Sequence, residues 1–153
     1  MGQYFKVVNI TKKEQMTPHN FGSGAKLMEF SSDGMSIMQG LAILLADGNG
    51  RGGGDLRSEN PIVGSWAGDQ IVITGDYADE GNFTEDPQKN LYEVSTDYKD
   101  VSFEVQRALA DDSWWKQNLY EDWKQYNFHD WNEDRQSFKE EIFGKQENVE
   151  ENA

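Results

Sequence analysis

The stretch from Gln70 to Asp76, Gln-Ile-Val-Ile-Thr-Gly-Asp, is the clearest strand in this sequence. β-Branched residues favour extended backbone, and a Gly-Asp pair stands at each end of the stretch, which is typical where a strand meets a turn. The residues from Tyr4 to Ile10, Tyr-Phe-Lys-Val-Val-Asn-Ile, have the same β-branched and aromatic content. The sequence therefore predicts a small sheet containing both segments, with a turn over Thr11 to Asn20.

A buried helix is predicted between these two strands. It begins after a cap residue, Asp33 or Ser36, and ends at Asp47-Gly48. Apolar residues lie on most of its sides, which is typical of a helix inside a core. They are Met35, Ile37, Met38, Leu41, Ile43, Leu44 and Leu45.

Further along the chain, the polar segment from Tyr77 to Lys89 predicts an exposed loop. Ser102 is the expected cap of a helix with one apolar stripe, formed by Phe103, Val105, Ala108 and Leu109. Taken together, these elements predict a single compact α+β domain over residues 1–110, with a small sheet and a buried apolar helix.

The last part of the chain, residues 111–153, predicts an acidic, aromatic helical extension. Aromatic and apolar residues recur there at spacings of three and four, the pattern of an amphipathic helix, and Ser113 can cap it. A weaker helical pattern runs through Trp131, Phe138, Ile142 and Phe143. The segment from Lys145 to Ala153 is polar enough to be disordered.

Net charge sets the class of partner that we expect. The formal charge is −14, and residues 111–153 carry 12 acidic side chains against 5 basic ones. Such a field repels phosphate backbones and anionic membranes, so direct nucleic-acid or membrane binding is disfavoured and a basic host protein, such as a nucleic-acid-binding enzyme, is favoured. With no cysteine and no apolar run that could span a membrane, a cytoplasmic location is expected.

The segment from Asp47 to Asp55 contains five glycines in nine residues. Glycine at this density allows backbone N–H groups to converge on an anion, with Arg51 as the only cation in the segment. The candidate ligand-binding residues are Asn49, Arg51, Gly52, Gly53 and Asp55. The alternative is a structural loop, because a dinucleotide-binding glycine motif follows a strand, whereas this one follows a helix.

Carboxylates cluster around the end of the second predicted strand, within residues 69–80. Clustered carboxylates can hold a divalent metal, and Asp76 and Asp79 are the candidate ligands, although acidic residues also simply flank turns. We predict no cofactor, with a divalent metal as the alternative. His19 and His129 lack a suitably spaced Ser, Cys or His, so no catalytic residue is assigned.

Four of the five tryptophans lie in the predicted extension. Tryptophan and tyrosine dominate binding hot spots, so these side chains are candidate partner-binding residues. The alternative is that they pack back on the domain. The candidates are Trp114, Trp115, Trp123, Tyr126 and Trp131.

Several motifs resemble those of a small uncharacterised protein family of bacteria and their phages. They are Gly2-Gln3-Tyr4, Pro18-His19-Asn20-Phe21-Gly22, Lys26-Leu27-Met28-Glu29-Phe30, Asp47 to Leu56, Gly64-Ser65-Trp66-Ala67-Gly68-Asp69 and Gly75-Asp76-Tyr77-Ala78-Asp79. The resemblance covers residues 1–105, and that family has no assigned activity to transfer. It implies an accessory role in a phage or prophage setting, such as inhibition of a host defence nuclease.

The favoured function is therefore an acidic protein-interaction module, such as a phage-type inhibitor that occupies the basic nucleic-acid groove of a host nuclease. The main alternative is a phosphate or nucleotide binder, or a metal-dependent hydrolase, that uses the glycine loop 47–55 and the carboxylates at 69–80. A third alternative is a stress or regulatory protein without a small ligand.

Overall fold

The computed structural model describes residues 2–31, 36–125 and 132–144, apart from the side chains of Asp122, Trp123 and Gln125. Four strands and five α-helices occur in these residues, and they form a compact α+β domain as predicted. The strands are β1 Phe5–Asn9, β2 Glu14–Met16, β3 Ile71–Gly75 and β4 Lys99–Asp100. The helices are α1 Ile37–Leu45, α2 Leu91–Val94, α3 Ser102–Asp111, α4 Ser113–Gln125 and α5 Glu133–Phe143.

The sheet has the strand order β3-β1-β2-β4. β1 is antiparallel to both of its neighbours, and Val7 lies opposite Met16 of β2 and Ile73 of β3. β2 runs parallel to β4. Both strands predicted from the sequence are thus confirmed, and they are adjacent in the sheet.

The prediction of a turn over Thr11 to Asn20 was wrong in part. The turn is shorter, because Lys12 N–H donates to Oδ1 of Asn9 at 2.8 Å and Lys13 takes a left-handed conformation with φ of 56°. The chain then forms β2, whose Glu-Gln-Met sequence has no β-branched residue, and a short 3-10 helix over Pro18–Phe21. Pairing with β1 and β4 imposes the extended backbone that the local sequence does not favour.

The two faces of the sheet differ in what covers them. Val7 and Met16 share one face and are fully buried in the main core, together with the Trp66 side chain. The opposite face carries Lys6 and Gln15, and residues 91–98 lie against it. Gln15 Nε2 donates to the Tyr98 carbonyl at 2.8 Å, and Lys6 Nζ lies 4.6 Å from the centre of the Tyr92 ring.

Helix α1 is the buried apolar helix predicted from the sequence. Ile37, Gly40, Ile43 and Leu44 are buried, whereas Leu45 is exposed, so one face rather than most sides is inside the core. Gly40 is needed because a Cβ there would lie 2.8 Å from the Phe21 ring. Of the proposed caps, Ser36 is the residue before the helix, and Asp33 and Met35 lie outside the described residues.

The C-terminal helices are present as predicted, and they pack on the rest of the domain. Leu119 of α4 and Phe138 of α5 are buried in the main core. Phe138 stacks on Phe103 of α3 with ring centres 5.0 Å apart, and Arg107 of α3 binds both carboxylate oxygens of Glu141. The boundary predicted between residues 110 and 111 stays a prediction, and the end from Lys145 to Ala153 lies outside the described residues.

Two predicted helix caps were wrong. Ser102 is the first residue of α3, its N–H donates to Oδ1 of Asp100 at 2.8 Å, and its hydroxyl accepts from Thr17 N–H. At the start of α4, the capping acceptor is Asp112 instead of Ser113, because Oδ1 of Asp112 accepts from Trp114 N–H at 3.1 Å. In both cases a nearby aspartate supplies the acceptor. Asp112 stands directly before α4, where aspartate caps as well as serine does, whereas Val101 stands between Asp100 and α3.

Candidate functional site

The glycine loop, residues 47–55, closes on its own carboxylate. Oδ2 of Asp55 accepts hydrogen bonds from the backbone N–H groups of Gly50 at 2.8 Å, Arg51 at 2.8 Å and Gly52 at 3.2 Å. These bonds, that of Arg51 first, hold the pKa of Asp55 below its usual value because they stabilise the charged form. The converging N–H groups that the sequence predicted are therefore present, and a side chain of the same loop occupies them.

The base of the loop is fixed by Asn49 and Leu56. Asn49 Nδ2 donates to the Leu56 carbonyl at 2.8 Å, and Leu56 N–H donates to Asn49 Oδ1 at 2.8 Å. The amide of Asn49, a candidate ligand-binding group, is thus used within the chain. Arg51, Gly52 and Gly53 are exposed.

Asp112 connects the segment that follows the loop to helix α4. Its Oδ2 accepts from Arg57 N–H at 3.0 Å, while its Oδ1 accepts from Trp114 N–H at 3.1 Å. The bond from Arg57 is the largest cause of a lowered pKa at Asp112. One carboxylate therefore fixes the first turn of α4 against the chain that leaves the glycine loop.

A cleft of about 250 Å³ lies between α1, the glycine loop and α4. Its wall is mainly apolar and includes Ile43 of α1 and Leu56. Asn49 and Asp55 of the loop and Trp115 of α4 also line it. The structure thus brings together two features that are far apart in the sequence, the glycine loop and Trp115 of α4.

Trp114 and Trp115 together form what we call the tryptophan corner, at the start of α4. Their rings meet edge to face, with centres 4.5 Å apart and planes at 88°. Trp115 is half-buried and packs against the main core, whereas 62 % of Trp114 is exposed. The packing alternative is therefore seen at Trp115, whereas partner binding by the exposed Trp114 stays a prediction.

The other candidate partner-binding residues cannot be placed. Trp123 belongs to α4 but its side chain is not described, and Tyr126 and Trp131 lie outside the described residues. The same applies to His129, whereas His19 lies in the 3-10 helix Pro18–Phe21.

No family model, curated protein or solved structure matches this chain. Within residues 2–31, 36–125 and 132–144, no helix is long and apolar enough to cross a membrane.

Two of the carboxylates at 69–80, those of Asp69 and Asp76, have partners in the protein. Asp69 accepts from Lys12 Nζ and from Asn9 Nδ2, and its pKa is lowered, mostly by the bond from Lys12. Oδ1 of Asp76 accepts from Tyr4 N–H at 2.9 Å, and Asp79 is exposed. In the part of the chain that the structure describes, no group of three or more His, Cys, Asp or Glu side chains could hold a metal ion. The prediction of a metal at Asp76 and Asp79 has no support here.

A second cleft, of about 370 Å³, lies between α3 and α5 and was not predicted. Phe103 and Phe138 line it together with the ion pair of Arg107 and Glu141. The residues of this cleft are far apart in the sequence, and no local pattern joins them.

Proposed function

We propose that this protein is an acidic protein-interaction module, and that the tryptophan corner and the adjoining 250 Å³ cleft form its docking site for a basic partner. The observation that supports this most strongly is the 62 % exposure of Trp114, whose ring meets that of Trp115 in the wall of a mainly apolar cleft. Exposed tryptophan next to a pocket is typical of a binding hot spot, because a large rigid ring gains much contact area at little entropic cost.

The corner is held in place before any partner arrives. Asp112 caps the first turn of α4, the Trp115 ring supports the Trp114 ring, and Leu119 fixes the next turns in the core. Preorganisation of this kind favours affinity because less freedom is lost on binding.

Charge determines the kind of partner. With 28 acidic against 14 basic side chains, the protein attracts basic surfaces and speeds encounter with them. The resemblance to a family of bacterial and phage proteins suggests a specific form of this proposal, in which the partner is a host defence nuclease and the acidic surface occupies its nucleic-acid groove.

The ligand-binding alternative would need a rearrangement. An anion could reach the N–H groups of Gly50 and Arg51 only if the Asp55 carboxylate left them. While the Asp55 carboxylate stays bound to these N–H groups, its negative charge also repels phosphate. The geometry of the loop thus favours a structural role, in which it supports one wall of the cleft.

A photo-crosslinking experiment tests the docking site. Benzoylphenylalanine replaces Trp114 in one sample and Met28, which is 80 % exposed, in a control sample. A third sample contains the unaltered protein. After irradiation in a bacterial lysate, we expect position 114 to capture a basic protein that position 28 does not. Equal capture at both positions, or capture that excess unlabelled protein does not reduce, would contradict the proposal.

A further inference from the structure

Strand β3 lies at an edge of the sheet, and its hydrogen bonds define which of its backbone groups face outward. Ile10 N–H donates to the Gln70 carbonyl at 3.0 Å, and Asp76 N–H donates to the Tyr4 carbonyl at 2.9 Å. Since bonded pairs alternate in an antiparallel ladder, Val72 and Thr74 also face β1. The N–H and C=O groups of Ile71 and Ile73 therefore point away from the sheet.

These outward groups are open among the described residues. Neither Ile71 nor Ile73 exchanges a backbone hydrogen bond with any described residue on its outer side, and 37 % of Ile73 is exposed. The opening ends at Gly75, whose carbonyl accepts from Ala78 N–H and whose Cα is covered by the Gln3 side chain. Such an edge is a template for another strand.

We propose that this edge binds an extended segment of a basic partner, which joins the sheet as a fifth strand. The segment would exchange backbone hydrogen bonds with Ile71 and Ile73. No residue of β3 lines the cleft beside the tryptophan corner, and the inference goes beyond the docking site proposed above.

The charge around the edge identifies its occupant. Residues 69–88 contain six acidic side chains and no lysine or arginine, and one of the six, Asp69, is paired with Lys12 from outside the segment. Two copies of this protein paired along the edge would bring two such segments together, each in a chain of charge −14, and would repel each other. A partner strand that alternates apolar residues with lysine or arginine would place its apolar side chains on the face of Ile71 and Ile73 and its cations on the opposite face, that of Val72 and Thr74.

The test uses the full ¹⁵N-labelled chain and the peptide acetyl-Lys-Val-Lys-Val-Lys-Val-Lys-amide as the probe. We expect saturable NMR shifts and slowed hydrogen exchange at the amides of Ile71 and Ile73, with little change in exchange at Val72, which already faces β1. The peptides acetyl-Glu-Val-Glu-Val-Glu-Val-Glu-amide and acetyl-Lys-Lys-Val-Val-Val-Lys-Lys-amide serve as controls for charge and for alternation, and both should bind more weakly.

Substitutions then separate backbone pairing from surface attraction. Ile73→Pro removes an outward N–H and no bond to β1, so it should weaken peptide binding about tenfold. Ile73→Thr keeps the N–H, and its affinity for the peptide should stay within about threefold of that of the unaltered protein. If Ile73→Pro does not fold, a probe with N-methylvaline at its central position gives the same test from the peptide side.

Three results would overturn the inference. In the first, the NMR shifts and hydrogen exchange of the Ile71 and Ile73 amides do not change at saturating peptide. In the second, the N-methylated probe binds as tightly as the unmethylated one. In the third, the free protein is a dimer in which both amides are already protected from exchange. Trp114→Ala should leave peptide binding unchanged, so failure of this inference is distinguishable from failure of the docking site.

Discussion

The backbone N–H of Arg57 donates a 3.0 Å hydrogen bond to Oδ2 of Asp112. Because Oδ1 of the same carboxylate caps α4 at Trp114, this side chain links the tryptophan corner to the segment that leaves the glycine loop. The cleft between them therefore depends on Asp112 although Asp112 is not among its lining residues.

Replacing Asp112 by Ala should lower the melting temperature and change the environment of Trp115, because two backbone N–H groups lose their acceptor. Circular dichroism on heating and the tryptophan emission spectrum measure the two effects. Asp111→Ala is a suitable control, since Asp111 is exposed and its carboxylate bonds a single group among the described residues, the Ser58 hydroxyl. Equal effects of both substitutions would contradict the role assigned to Asp112.

Replacing Phe138 by Ala should destabilise the whole domain by about 3–5 kcal/mol, because a buried aromatic ring is lost from the main core. Urea unfolding followed by far-ultraviolet circular dichroism measures this. Phe83→Ala, at a residue that is 66 % exposed, should cost about 0.5 kcal/mol or less. A small loss for Phe138→Ala would mean that α5 is not part of the cooperative core.

Sequence patterns predicted β1, β3 and α1 well, because each has a local signal that agrees with its place in the fold. β2 was missed because Glu14-Gln15-Met16 is extended only through its pairing with β1 and β4. The caps were misassigned because an aspartate and a serine stand close together at each helix start, and only the packing selects between them.

The candidate site could be predicted only in its parts. Glycine content indicated converging N–H groups in residues 47–55, but nothing local shows that Asp55 binds them. The helical spacing grouped Trp114 and Trp115 with the later aromatic residues, whereas the fold places Trp115 against the core and Trp114 in solvent. The cleft itself arises from contacts between distant segments, which no periodicity records.

Removing the Asp55 carboxylate should convert the glycine loop into an anion site. In Asp55→Ala the N–H groups of Gly50, Arg51 and Gly52 lose their acceptor, and an anion at 100 times its dissociation constant would add about 2.7 kcal/mol to the free energy of unfolding. Thermal unfolding in increasing phosphate, with matched ionic strength from chloride, measures this. We expect saturable stabilisation of Asp55→Ala only. Saturable stabilisation of the unaltered protein would favour the ligand-binding alternative.

Lys6 should make stability increase with pH in the alkaline range. Burial lowers its pKa to about 8, partly offset by the charge of Asp100. Between that value and the ordinary lysine pKa of about 10.4, Lys6 is protonated in the unfolded chain and neutral in the folded one, so the free energy of unfolding rises with pH. Below the folded pKa, Lys6 is charged in both states, and the folded protein bears the full cost of burying that charge.

The measurement is the difference in melting temperature between the unaltered protein and Lys6→Met from pH 7 to pH 10. Met has a similar length and no charge, so the alkaline rise should be smaller in the variant, while titration of other groups is common to both. The same slope in both proteins would show that Lys6 is not the cause.

The central claim is that the tryptophan corner docks a basic protein, and the most direct test is the dissociation constant of the protein captured at position 114. It is measured with the unaltered chain, with Trp114→Ala and with the matched surface control Met28→Ala, each confirmed to have an unchanged melting temperature. We predict about tenfold or greater weakening for Trp114→Ala and none for Met28→Ala, with all affinities falling as salt increases. Equal affinity of the unaltered chain and Trp114→Ala would contradict the claim.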